Sequence, residues 1–259
     1  MRLSSMWIAS LVTWVSVASA APEAPPSPSP SPSPSPITGT TAAKIVVLDP
    51  GHGGTNAGAR GAAPGLNEKE LTLAIANQVA TKLRAKGLDV RLTRTTDRTL
   101  TLRQRVAAAD AVAADLFVSI HANASPTRTQ RGYETYVLTT KGVDIDGRAL
   151  RADTPTPRPG VAPDIALVLD DVERGAAQWE AAELATRVQH GLRDRRGSEG
   201  DRGVRQDAPH VLLGATMPAV LVEVGFIDHP IEGKQLAEAG VQDLLASAIA
   251  EAIEDQLAD

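Results

Sequence analysis

The chain has 259 residues, 42% hydrophobic and 22% charged, with no cysteine and a net charge of −5. That balance describes a globular chain and excludes collagen-like, wholly disordered and multi-span membrane proteins. The acidic excess argues against a nucleic-acid partner, because phosphate neutralisation needs a basic stripe, and the missing cysteines exclude disulfides, thiol nucleophiles and Cys-ligated metals.

The first twenty residues have the layout of an export signal: Arg2, an apolar stretch from Met6 to Val17, and the small-x-small sequence Ala18-Ser19-Ala20. An apolar run of about fifteen residues is short of the roughly twenty that span a bilayer, so cleavage is expected, with an uncleaved anchor as the alternative. Residues 21–39 are a Pro/Ser-rich linker in which Ser-Pro alternates up to Pro36. Proline fixes φ and has no amide donor, so this stretch should be an extended spacer without a core. Residues 40–259 then form the folding unit, long enough for one domain.

Within it, Lys44–Leu48 is a β-branched apolar run stopped by Asp49-Pro50-Gly51, which reads as a buried strand entering a loop. Asn67–Lys86 reads as a helix, with Leu71, Ile75, Val79 and Leu83 on one face, Asn67 as N-cap with Glu70 behind it, and Gly87 as the stop. Leu88–Arg94 is a strand, and Thr101–Ala113 a helix that Thr101 and Gln104 are placed to cap. Strands follow at Leu116–Ile120 and Tyr133–Leu138, then a short amphipathic helix at Asp164–Val172 and another helix at Gln178–Leu192. Val211–Leu213 and Ala219–Val224 read as late strands, and an apolar stripe from Val241 to Ile253 marks a C-terminal helix. The alternation predicts a single α/β domain, a mixed, mostly parallel twisted sheet of about six strands with helices on both faces.

In open sheets of this kind ligands bind beyond the carboxyl ends of the strands. His52 in Asp49-Pro-Gly-His-Gly-Gly54, His121 after Leu116–Ile120, and Glu223 all fall there. Asp49 is placed to accept the second imidazole N–H of His52, although an incidental histidine in a turn reads equally well. His121 points into the crevice at those ends, but a lone histidine there is more often a hydrogen-bonded structural residue. Glu68 opens the first helix, where the macrodipole suffices to explain a carboxylate. Glu223 differs, because it interrupts the apolar run Ala219–Phe226, and a buried carboxylate needs a cation, a metal or a catalytic task. Two histidines and one or two glutamates without cysteine suit a catalytic zinc with three protein ligands and an open position. His190, His210 and His229 read as surface residues. No G-x-S-x-G elbow, P-loop or GxGxxG occurs.

At these residues the chain resembles the zinc-dependent N-acetylmuramoyl-L-alanine amidases of the amidase-3 family. The resemblance spans the globular part through IVVLDPGHGG, NEKELTLAIANQVATKL, VRLTRTTDRTLTLRQRV, LFVSIHANA, GYETYVL and MPAVLVEVGF, in family order. It implies a periplasmic or cell-wall-associated peptidoglycan hydrolase that cuts the amide between N-acetylmuramic acid and L-alanine of the stem peptide. By motif, His52, Glu68 and His121 would hold one zinc ion and Glu223 would be the catalytic carboxylate. A monomer is expected, with peptidoglycan as substrate and an activator protein as a further partner. Asn123, with Arg94 and Arg105, is a candidate to bind the stem peptide, although the arginines read more simply as helix–strand ion pairs. His229 stands where many members have Asn, and Pro209-His210 replaces an aromatic pair. The stretch between Leu138 and Ala182 is longer than in the smallest members, and some relatives place a self-blocking helix there. The rival readings are a zinc carboxypeptidase-like peptidase and a catalytically silent wall-binding module; the complete ligand set with Glu223 weighs against the silent module.

Overall fold

The computed structural model describes residues 43–139, 158–207 and 209–258, so the expected export signal and linker lie outside the described residues. Its strands are β1 (Ile45–Pro50), β2 (Asp89–Leu92), β3 (Leu116–Asn123), β4 (Tyr133–Leu138), β5 (Asp201–Asp207) and β6 (Ala219–Phe226). Its helices are α1 (Glu68–Ala85), α2 (Leu102–Asp110), α3 (Pro163–Arg196), the single turn α4 (Glu232–Gln235) and α5 (Ala239–Ala258). The strands form one sheet in the order β2-β1-β3-β6-β4-β5. β2, β1, β3 and β6 run parallel, and β4 meets β6 antiparallel with β5 parallel to β4. The α/β domain with a mixed, mostly parallel sheet is thus as the alternation predicts.

Side-chain parity divides the sheet into two faces. Val46, Leu48, Val118, Ile120, Val220 and Val222 join Leu71, Ile75 and Leu83 of α1, Leu184 and Val188 of α3, and Leu245 and Ile249 of α5 in the larger core. Val47, Phe117 and Leu221 point the other way, against Ala109 beside α2's end and Val211-Leu212. This second cover shields only the lower part of its face. Ser119, His121 and Asn123 continue the outward parity of Phe117 along β3, and Glu223 that of Leu221 along β6. Ser119 is still buried, whereas His121, Asn123 and Glu223 are only partly covered.

Four expectations change. Val211–Leu213 is not a strand: His210–Leu212 forms a 3₁₀ turn, since three apolar residues between Pro209 and Gly214 cannot sustain a ladder. The sixth strand is instead β5, whose sequence Asp-Arg-Gly-Val-Arg-Gln-Asp carries no apolar period because it is the sheet's edge, where charges discourage further pairing. The two helices expected at 164–172 and 178–192 are one 34-residue helix, α3, that runs through Gly175. Asn67 holds the N-cap position without a side-chain cap bond, whereas Thr101 and Gln104 form the full capping box.

α3 also places residues 163–182 of the long stretch, whose residues 140–157 lie outside the described residues. Gln178 donates to the Leu138 carbonyl, and Arg174, Ala177 and Ala181 line a cavity with Leu138, Met217 and Ala219 at the start of β6. Arg196, at the helix's other end, reaches the end of β6 through the Val224 carbonyl. The first turns of α3 therefore extend away from the carboxyl ends of β1, β3 and β6, and no self-blocking helix over those ends is formed by residues 158–178.

Candidate active site

β1 leaves the sheet through Gly51 into a loop that turns back on itself. His52 has φ 58°, a left-handed conformation uncommon for a residue with a Cβ, and Gly53 follows at φ 123°. A Cβ on Gly53 would come within 2.3 Å of the Arg98 carbonyl, so only glycine allows this path. Two buried arginines hold the loop from beneath. Arg94 donates to the carbonyls of Pro50, Gly51 and Lys69, and Arg105 to those of Pro50 and His52.

Arg105 also pairs with Asp49 at 2.8 Å, both side chains being nearly solvent-free. The Asp49 carboxylate accepts from Thr93 and Ser119 as well, so it is saturated and does not reach His52. The expected Asp49–His52 bond is replaced by Asn56, whose Oδ1 lies 3.0 Å from His52 Nδ1. Only a short polar residue four positions on in a loop could have suggested it. Arg105 is the helix–strand ion pair anticipated for it, and Arg94 a donor to backbone carbonyls. Neither offers its guanidinium to a ligand.

Glu68, Asn67's neighbour at the start of α1, is buried beneath the loop. Its Oε2 lies 3.0 Å from His52 Nε2 and accepts from Ala59 N–H, while its Oε1 lies 2.9 Å from His121 Nδ1 and accepts from Ala122 N–H. One ligand atom from each of His52, Glu68 and His121 falls within 4.8 Å of the others. The imidazoles meet edge to face at 4.9 Å between ring centres. Burial disfavours charge on Glu68, but hydrogen bonds to His121 and His52 outweigh it and hold the carboxyl well below the usual range. Burial likewise opposes charge on His52, and its contact with Glu68 raises it nonetheless. Two nitrogens and one carboxylate oxygen, convergent and free of sulfur, fit a metal such as zinc, and Asn56 fixes the His52 tautomer that leaves Nε2 inward.

Glu223 faces this cluster through the sheet itself, since β6 sets it directly opposite His121 of β3. Its Oε2 is buried and has no hydrogen-bond partner among the described residues. Native proteins seldom leave such an acceptor unpaired without a functional reason. Burial first, then the carboxylates of Glu68 and Glu134, push Glu223 well above the ordinary carboxylate range.

Glu134 was not singled out by the sequence. It is paired with Glu223 across the antiparallel β4–β6 ladder and is itself buried. Its Oε1 accepts from Asn123 at 2.9 Å and Tyr136 at 3.1 Å, and its Oε2 from Arg202 at 3.1 Å and Arg205 at 3.2 Å. Asn123, whose Oδ1 accepts from Ala124 N–H, is thereby engaged at both ends of its amide. His190 and His210 are exposed, and His229 is half-buried, with its Nδ1 accepting from the backbone of Ile231 and Glu232.

The chain matches the model of the amidase-3 family, N-acetylmuramoyl-L-alanine amidase, over residues 46–255. It is 34% identical over 218 residues to the N-acetylmuramoyl-L-alanine amidase AmiA of Escherichia coli K12, covering 81% of this chain and 75% of AmiA. To the amidase LytC of Bacillus subtilis 168 it is 35% identical over 206 residues, 80% of this chain but 34% of LytC, so it corresponds to about a third of that protein. The crystal structure of an N-acetylmuramoyl-L-alanine amidase from Clostridium difficile 630 superposes with a TM-score of 0.66 at 30% identity, over 84% of this chain and 98% of that one. Hydrolysis of an amide is what these relatives' shared name describes. The chain belongs to the amidase-3 family and is an N-acetylmuramoyl-L-alanine amidase, a peptidoglycan hydrolase acting outside the cytoplasm.

Proposed function

We propose that His52, Glu68 and His121 hold a single zinc ion and that Glu223 is the proton-transferring carboxylate of the amide hydrolysis. The observation that carries this reading is the unpartnered, buried Oε2 of Glu223 beside a converging His-Glu-His set. A bound zinc ion supplies Lewis acidity, which acidifies water and polarises a carbonyl. Glu223 accepts the proton of the attacking water and returns it to the leaving alanine nitrogen, completing general base and then general acid catalysis with one group. Its raised proton affinity suits both halves, because an ordinary carboxylate would be a weaker base toward the water and would lose the proton before the leaving nitrogen took it. Glu68 stays ionised among its hydrogen bonds, which suits a metal ligand rather than a proton shuttle.

In this reading residues 1–20 export the chain, residues 21–39 tether the domain spanning 40–259, and a separate protein regulates it. Metal analysis tests the ligand set. The purified domain should carry about one equivalent of zinc, and His52→Ala and His121→Ala should lose it. Glu68→Gln should weaken binding, since a neutral amide is a poorer ligand. Undiminished zinc in all three variants would overturn the assignment. The products of sacculus digestion test the bond cut: stem peptides with a free N-terminal L-alanine are expected, and loss of a terminal residue would point to a carboxypeptidase.

The packing of His121 yields a second expected result. A Cβ on Gly51 would fall 2.4 Å from His121 Cε1, so Gly51→Ala must displace the ring. Disturbing the support of a metal-binding histidine lowers metal affinity about 10–100-fold, which a competitive chelator titration would read.

A further inference from the structure

An acidic chain must bind an anionic stem peptide, and the arginines anticipated for that task, Arg94 and Arg105, are buried under the loop. A different pair stands on the open face. Arg202 and Arg205 project from the edge strand β5, and both direct Nε–H to a single oxygen of Glu134, which lies directly across from Glu223. Arg202 is further fixed by stacking 5.1 Å over the Phe226 ring and by a 3.3 Å bond from Nη2 to Gln130. With Nε turned inward, Arg202 Nη1 and both terminal nitrogens of Arg205 have no partner among the described residues, and the side chains are 31% and 48% exposed.

The arrangement is asymmetric in a telling way. Glu134 has both oxygens filled by four donors and is shut off from solvent, so it cannot bind substrate itself. Two guanidiniums on one carboxylate leave an excess positive charge facing outward. Each is held by its Nε edge, which pre-orients the remaining N–H groups and reduces the entropy lost when they bind. Outward guanidinium edges of this kind match a carboxylate, which accepts paired N–H bonds. The guanidiniums lie between one and two strand spacings from Glu223, roughly 5–10 Å, a distance bridged by about two or three extended residues.

Resting on the amidase reading, we infer that Arg202 and Arg205, oriented by Glu134, form a subsite for a carboxylate of the stem peptide just beyond the L-alanine whose amide is cut. Asn123 and Tyr136 are positioning residues that complete the hydrogen bonds of Glu134. The subsite selects substrates with a free acid at that place and disfavours those in which it is a carboxamide.

The test uses two soluble muramoyl peptides that differ only in that group, free acid or carboxamide, with the zinc-loaded wild-type protein. The wild type should favour the free acid in kcat/KM by about 10–100-fold, the range of a hydrogen bond to a charged partner. In Arg205→Gln and Arg202→Gln the ratio should fall toward one, through KM rather than kcat, and Arg205→Lys should restore part of it. The same ratio is read as Kd on Glu223→Gln protein, which requires no turnover and reports on folded protein directly. A wild-type ratio near one, or variants that lower both peptides equally, would show the arginines to be edge-strand supports only and overturn the subsite. If neither peptide is cleaved while the Kd ratio is kept, the cleavage reading fails and the subsite stands.

Discussion

Replacing Glu223 with glutamine drops turnover on sacculi by about 10²–10⁴-fold, the contribution of a positioned acid–base group, while zinc stays bound. Glutamine keeps the volume and a hydrogen-bonding head at a site where the carboxylate's Oε2 has no partner to lose, so the fold is expected to tolerate it. It cannot take the proton of water, and that is the only function removed. Glu68→Gln has the opposite signature, losing metal first and activity as a consequence, because Glu68 bridges the two histidines. Parallel zinc and activity measurements on the two variants separate the roles. Zinc lost in Glu223→Gln and kept in Glu68→Gln would exchange them, and near-normal turnover in Glu223→Gln would make that carboxylate structural.

Arg105→Met lowers stability by about 3–5 kcal/mol, the cost of breaking a buried ion pair by removing one partner. The variant leaves the fully buried Asp49 with only the hydroxyls of Thr93 and Ser119. It also strips the His52 carbonyl of its arginine donor and the Pro50 carbonyl of one of two, so the loop carrying His52 keeps only Arg94 beneath it. Urea unfolding should show a lower midpoint with an unchanged slope. Breaking the exposed Lys86–Glu254 pair should barely move the midpoint, because surface ion pairs contribute little. Equal shifts for the two would mean that the buried pair contributes no more than a surface one.

The central strands and the helices α1 and α5 were legible because burial on both faces writes itself as unbroken apolar runs, and burial on one face as i+4 spacing; α3 was legible only in two pieces. Glu223 stood out for the same reason, as the single charge inside Ala219–Phe226. β5 was missed because an edge strand needs no apolar face, and Asp-Arg-Gly-Val-Arg-Gln-Asp looks like a loop until its neighbour is known. Glu68 could not be distinguished from Glu70 by local chemistry, since both favour a helix N-terminus. What separates them is that the first faces Ala59 N–H and the imidazoles, a contact across sequence separations of 9, 16 and 53. Asp49 was assigned to His52 by proximity in sequence, whereas the fold draws it toward Arg105 on α2 and leaves His52 to Asn56. Glu134 hid in a strand where alternation makes a polar residue look solvent-facing.

The strand order sets a sequence in which abilities fail. His121 and Glu223 sit on β3 and β6, each flanked by strands on both sides, whereas Arg202 and Arg205 sit on β5, which has β4 as its one strand neighbour in the sheet. Central strands open only with the whole molecule, while an edge strand can fray alone at a lower free energy. Under mild heating or denaturant the enzyme should first become indiscriminate and only later inactive, so that fidelity toward the substrate's charge is the more fragile property. Near the limit of its stability, such an enzyme cuts wall material that it would spare when fully folded.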